Sequence, residues 1–153
     1  MSLVTAENLV KDYSTGDVAV HAIRGVDFTI EPASFVCFVG PSGSGKSTLL
    51  NMIGCLDPPT SGRLTVSGAD VSTMSHHTAA EFRGEHIGFV FQDFNLLPVL
   101  TAYENVEYAL RLVQKWPPQS RHERVQSLLA AAGIADQADK RPDQLSGGQK
   151  QRV

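Results

Sequence analysis

Residues 35–48 read Phe-Val-Cys-Phe-Val-Gly-Pro-Ser-Gly-Ser-Gly-Lys-Ser-Thr. The unbroken apolar run Phe35–Val39 predicts a strand buried on both faces, as in a parallel sheet. Gly40 through Ser47 then matches G-x-x-x-x-G-K-[ST] at every fixed position, and a helix is predicted over Lys46–Ile53, closed by Gly54. Gly43 and Gly45 permit backbone angles that other residues resist. A turn through Gly40, Ser42, Gly43 and Gly45 aims successive N–H groups inward as an anion nest, and the helix N-terminus adds its positive dipole end. Lys46 is placed to neutralise β- and γ-phosphates, Ser47 to ligate Mg²⁺, and Thr48 to hold an α-phosphate oxygen. The pattern predicts a nucleoside triphosphate ligand. By itself it does not choose among protein classes.

On the N-terminal side, Leu3–Val10, Val18–Ile23 and Val26–Ile30 read as three strands, with a turn at Ser14-Thr15-Gly16-Asp17 and a break at Glu31-Pro32. On the C-terminal side, Arg63–Ser67 reads as a strand, Thr78–Arg83 as a short helix and Ile87–Gln92 as another apolar strand. Helical periodicity follows. Thr101 and Glu104 fit a capping box ahead of a stripe at Val106, Leu110 and Val113, and Trp116-Pro117-Pro118 ends that helix. Ser120 and Glu123 fit a second box, with Val125, Leu128, Leu129 and Ala132 as its stripe and Gly133 as the stop. The layout is α/β: a mixed core followed by a small helical lobe.

Composition narrows the classes. The 153 residues carry a net charge of −3, which argues against a broad nucleic-acid surface while leaving room for a local phosphate site. No apolar run approaches the ~20 residues of a membrane span, and the N-terminus lacks the basic start and apolar core of a secretory signal. Cys37 and Cys55 are far apart and suit a reduced, cytosolic chain as small buried hydrophobes. His76 and His77 have no partner at metal-ligand spacing, and His86 and His122 are equally bland.

The second motif is Leu145-Ser146-Gly147-Gly148-Gln149, in which Ser146 is an N-cap candidate and the two glycines clear space for an anion. It resembles the signature of ABC-type ATPases, the nucleotide-binding subunits of ATP-driven transporters. The resemblance implies a P-loop NTPase core with an antiparallel β subdomain over residues 1–92 and a helical signature lobe over 93–153. It implies ATP and Mg²⁺ as ligands. Leu145 to Gln149 would contact the γ-phosphate of ATP held by the other subunit of a homodimer. Gln92 resembles the Q-loop glutamine, a contact to Mg²⁺ or the attacking water, and Tyr13 stands where the family places an aromatic against adenine. An integral-membrane permease would be the partner, which puts the protein on the cytoplasmic face of the membrane. Lys46 and Ser146 are 146 − 46 = 100 residues apart, without the long coiled coil of chromosome-maintenance and DNA-repair relatives. Gly54–Gly62 and Phe91–Pro98 resemble the lipoprotein-release and macrolide-export subgroup, although Asp93 stands where Gln is usual. The apolar loop Phe94, Leu96, Leu97 and Pro98 suits either interdomain packing or a docking groove for a permease helix.

In-line attack on a phosphate needs a second hold on Mg²⁺ and a group that orients water. The family supplies these after the signature helix: an apolar strand ending in Asp, then a Glu base, and later a His. None follows Ser146 in these residues. Ile87–Asp93 is apolar and ends in an acid, but Gln92 already occupies the Q-loop position. Little or no turnover is therefore expected of this stretch, and the missing central strand predicts self-association through an open sheet edge, or rearrangement. A naturally short regulatory nucleotide-binding module is the alternative, and a small phosphate-loop kinase is a third reading that the signature opposes.

Overall fold

The computed structural model describes residues 2–15, 18–112 and 116–153. Gly16 and Asp17 of the expected turn, and Val113 of the expected stripe, lie outside the described residues. The chain separates into two units, Met1–Gly88 and Phe89–Val153.

The first unit is built on an antiparallel sheet of order β2-β1-β3-β4. Its strands are β1 (Val4–Thr15), β2 (Val18–Ile30), β3 (Ser61–Val66) and β4 (Ala69–Asp70). The two strands expected within 18–30 are one continuous strand. Its ladder shifts register opposite Asn8, between the Ala6↔Phe28 and Leu9↔Val26 pairs. Gly25 has φ +70°, in the left-handed region that favours glycine, and a Cβ there would lie 2.8 Å from Asn8 Oδ1, so glycine passes the bulge with the least strain. Period-2 patterning places Leu64 and Val66 of β3 on the buried face beside Val4, Ala6 and Leu9 of β1. Helix α1 (Lys46–Ile53) lays Leu49 and Met52 into the same cluster. Full burial of a side chain such as Leu64 contributes about 1.5–3 kcal/mol. Helix α2 (His76–His86) is longer than expected and starts at Ser75, whose hydroxyl accepts from the Thr78 N–H at 3.2 Å.

Two expected strands are absent. Phe35–Val39 and Ile87–Gln92 form no ladder, and Phe35, Val39 and Val90 are 97%, 88% and 94% exposed. Cys37, in the first run, is exposed rather than buried. A strand buried on both faces needs a hydrogen-bonded neighbour and a covering layer. Among the described residues neither run has a pairing strand, and α1 spends its apolar face on the antiparallel layer. Phe38 of the first run and Ile87 of the second reach that layer, Phe38 edge-on to Phe28 at 5.9 Å.

The second unit holds α3 (Ala102–Leu112), α4 (Pro118–Ala131) and α5 (Gly147–Arg152), with 3-10 turns at Ala135–Gln137 and Pro142–Gln144. Leu110, Val125, Leu129 and Ile134 form its core. The first capping box forms as expected: Thr101 N–H donates to Glu104 at 2.8 Å and Glu104 N–H to the Thr101 hydroxyl at 3.1 Å. The second does not. Helix α4 begins at Pro118, whose fixed φ and missing N–H suit the first helical position, so Ser120 lies inside the helix and donates to the Pro117 carbonyl. Gly133, at φ +66°, closes α4 in a Schellman motif through Gly133 N–H to Ala130 O and Ile134 N–H to Leu129 O. No helix among the described residues is long and apolar enough to cross a membrane.

Candidate functional site

The loop from Gly40 to Gly45 is shaped by its glycines. Gly43 and Gly45 have φ +78° and +88°, the left-handed angles a nest requires. Gly45 is also the N-cap of α1 and packs so closely on β2 that a Cβ would lie 2.6 Å from the Ala22 carbonyl oxygen. Helix α1 carries no side-chain cap and no acidic residue in its first turn, so its positive end is uncompensated. Lys46 Nζ bends over the loop and donates to the carbonyls of Gly40 at 2.9 Å and Pro41 at 2.7 Å, and to the Ser44 hydroxyl at 3.3 Å. Ser42 and Ser47 are exposed, and Thr48 is half-buried one position further along. Two left-handed glycines, an uncapped helix start and the Lys46 ammonium together have the chemistry of an anion site.

Tyr13 stands beside this cradle. Its hydroxyl donates to Asp57 Oδ2 at 2.6 Å, and the Thr48 hydroxyl is near enough to favour the ionised phenol. Lys11, two residues earlier on the same face of β1, is 8% exposed; its Nζ bonds Asp57 Oδ1 and the Pro58 carbonyl and sits 5.0 Å from the centre of the Tyr13 ring. The bond to Asp57, with burial next, raises the Tyr13 phenol above its ordinary range. Burial opposes the Asp57 carboxylate, but the bonds from Lys11 and Tyr13 and the lysine charge outweigh it and hold the carboxyl below its usual range. Burial also pushes the Cys55 thiol up. Lys11 and Asp57 were not singled out from sequence. The alternation Lys11-x-Tyr13 was visible, but its partner is 46 residues away.

The signature belongs to the second unit. Leu145 is buried and anchors the segment, and Ser146 caps α5 in a reciprocal box: its hydroxyl accepts from Gln149 N–H, and Gln149 Oε1 accepts from Ser146 N–H at 2.8 Å. Gly147 and Gly148 have no left-handed φ, and a Cβ at either would meet its nearest atom only at 3.9 Å. Their own fold does not demand glycine. Gln92 is exposed, in the same unit. Nearby in sequence, Phe94 carries Lys150 Nζ 5.9 Å from its ring centre. Asn105, a further residue sequence reading passed over, pins the end of the apolar loop: it accepts from Leu97 N–H at 2.8 Å and donates to the carbonyls of Leu97, Leu100 and Thr101.

Comparison with known proteins decides the family, because the profile described as ABC transporter matches residues 23–153. The chain belongs to the ABC transporter family. It is 49% identical over 143 residues to an uncharacterized ABC transporter ATP-binding protein of Thermotoga maritima, covering 94% of this chain and 61% of that one. The macrolide export ATP-binding/permease protein MacB of Marinobacter nauticus is 44% identical over 151 residues, 99% of this chain and 23% of that one. The fold matches the ATP-binding cassette MJ0796, solved as a dimer in a post-hydrolysis state bound to ADP and Pi, with TM-score 0.87 and 41% identity over 97% of this chain and 66% of that one. The ABC chain described here thus spans between 23% and 66% of these relatives' lengths. The fold class is that of an ABC ATP-binding cassette, represented in part.

Proposed function

We propose that these residues form the nucleotide-binding and signature portion of an ABC transporter ATPase subunit that takes Mg-ATP. The phosphate loop carries the reading: two left-handed glycines, an uncapped helix start and Lys46 held only by loop atoms it can exchange for phosphate oxygens. Gly40, Ser42, Gly43 and Gly45 would line the phosphates, Lys46 would bridge the β- and γ-groups, and Thr48 would hold an α-phosphate oxygen. Ser47 and Gln92 offer the neutral hard oxygens that Mg²⁺ accepts when phosphate supplies its charge. Mg²⁺ held there would supply positive charge against the phosphate groups. Tyr13 would stack on adenine through its exposed ring.

Leu145, Ser146, Gly147, Gly148 and Gln149 would meet ATP held by a second subunit, which accounts for glycines that their own fold does not need. The dimeric cassette among the similar structures supports that arrangement. A permease is the expected membrane partner, as the name of the Marinobacter relative suggests. Phe94, Leu96, Leu97 and Pro98 would receive its cytoplasmic helix, and the protein would work peripherally on the cytoplasmic face. The 153 residues alone should show little or no turnover, since no apolar strand ending in Asp and followed by Glu comes after Ser146. They should also self-associate through the bare runs Phe35–Val39 and Ile87–Phe91; a monodisperse monomer by light scattering, with cooperative melting, would count against that.

Equilibrium titration with fluorescent mant-ATP and Mg²⁺ tests the reading. Lys46→Ala should weaken binding by about 10- to 100-fold, the worth of a charge-assisted bond to phosphate, while leaving the melting curve in place. Unchanged binding in Lys46→Ala sinks the phosphate site. Robust phosphate release by the 153 residues, abolished by the same substitution, sinks the prediction of no turnover.

A further inference from the structure

The Lys11–Asp57–Tyr13 cluster has a geometry that nucleotide binding alone does not require. A buried ammonium demands a partner, and Lys11 has two, Asp57 and the Pro58 carbonyl. The Asp57 loop is itself pinned at both ends. Leu56 N–H donates to Asn51 O of α1 at 2.8 Å, Thr60 N–H donates to Val10 O of β1 at 2.9 Å, and the Thr60 hydroxyl accepts from Asp12 N–H at 2.9 Å. The carboxylate is therefore fixed relative to both the helix of the phosphate loop and the strand that carries Tyr13. It fills one oxygen with Lys11 and presents the other to the phenol. Tyr13 is held by its tip, and Lys11 stands over its ring. Yet the residue as a whole is still 36% exposed. A tyrosine serving only as core would not stay more than a third exposed while its hydroxyl is satisfied.

We propose that Asp57, locked by Lys11, is a positioning residue that sets the attitude of the Tyr13 ring as a stacking platform for a purine base. Asp57 acts through Tyr13 and touches no nucleotide. The inference rests on the nucleotide-site reading above, and it adds the device that makes the platform rigid before the base arrives. Preorganised aromatic surfaces bind better because their ordering cost is met in folding. The raised phenol and the lowered carboxyl fit one shared hydrogen bond between the two groups.

The test separates base from phosphate. Affinities of the whole chain for mant-ATP and for inorganic tripolyphosphate, both with Mg²⁺, are measured for the unmodified protein, Asp57→Asn and Tyr13→Phe. Stacking of one base on one aromatic ring is a large enough effect to resolve. Losing only its orientation should weaken mant-ATP by about 3- to 10-fold in Asp57→Asn, with tripolyphosphate within twofold of the unmodified protein. Tyr13→Phe keeps the ring and deletes the hydroxyl, so it should reproduce the mant-ATP loss, and the double variant should lose no more than either alone. Ultraviolet titration should show one tyrosine ionising at lower pH in Asp57→Asn than in the parent. Equal losses for both probes mean general damage and overturn the proposal, as does unchanged mant-ATP affinity. If the unmodified chain binds tripolyphosphate as tightly as mant-ATP, the phosphate site stands and the platform falls. If it binds neither, the nucleotide-site reading falls with it.

Discussion

The phosphate loop and the signature use the same residues, serine and glycine at a helix start, for opposite structural reasons. Gly45 is required by its own fold: its φ is +88° and β2 occupies the space a side chain would take. Gly147 and Gly148 are required by nothing within the described residues, since each has only ordinary contact at 3.9 Å. The first motif is wedged against β2, and the helix it opens is tied to the Asp57 loop through Asn51 and to Tyr13 through Thr48. The second is held by one cap and one buried leucine. The contrast fits the proposed function: a loop that encloses a ligand gains from rigidity before binding, whereas a surface offered to a second subunit needs clearance more than bracing.

Substitution at Gly45 should break the comparison most visibly. Gly45→Ala combines left-handed strain with a backbone clash, together roughly 2–4 kcal/mol. The expected drop in melting temperature is about 5–15 °C for a chain of this size. A change under about 2 °C by calorimetry would mean the loop is not wedged on β2.

Ser146→Ala should cost about 1 kcal/mol, the ordinary worth of an N-cap. Because α5 is only six residues long and local, that cost should appear as roughly fivefold faster amide exchange at Lys150 rather than as a shift of the main transition. Unchanged exchange would mean that Gln149 and Leu145 hold the segment without the hydroxyl.

The bracing around Asp57 predicts a pH dependence that the signature lacks. The folded pKa of Asp57 is lowered from 3.8, so its stabilisation is complete above 3.8 and is lost as pH falls through the folded value. The melting difference between the parent and Asp57→Asn should be constant from pH 7 down to about 4 and then close on further acidification. A difference that persists at the lowest pH where the fold survives would place the stabilising charge elsewhere.

Where structure follows from neighbours in sequence, it was legible. Helix α1 runs over the expected Lys46–Ile53 with Gly54 as its cap, the Thr101–Glu104 box forms, and Ser146 caps α5, because each depends on residues within one or two turns. What failed depends on distant partners. Strand β2 crosses Gly25 unbroken because Asn8, on another strand, accommodates the bulge. Phe35–Val39 has the composition of a buried strand, but a strand exists only with a ladder, and composition cannot state whether the partner is present. The Asp57 brace was hidden for the same reason, by 46 residues of separation from Lys11. At the candidate site, the phosphate-loop contacts were written locally and the bracing of Tyr13 by Lys11 and Asp57 was not.

The smallest expected effect is the most informative about the signature. Gly147→Ala adds a methyl group to a helix position with room for it, and alanine is the better helix former by up to ~1 kcal/mol in a helix interior, less in a first turn. The melting temperature should therefore stay level or rise by about 1–2 °C, and amide protection along Gln149–Arg152 should hold or improve. The opposite result, a loss of 3 °C or more, would show that Gly147 is needed by its own fold and would remove the contrast with Gly45. With stability preserved, any defect of Gly147→Ala in ATP-dependent pairing could be assigned to lost clearance at the surface proposed to meet a partner's nucleotide. That assignment is unavailable for Gly45→Ala, because a loop wedged on the sheet cannot lose its glycine without also losing stability.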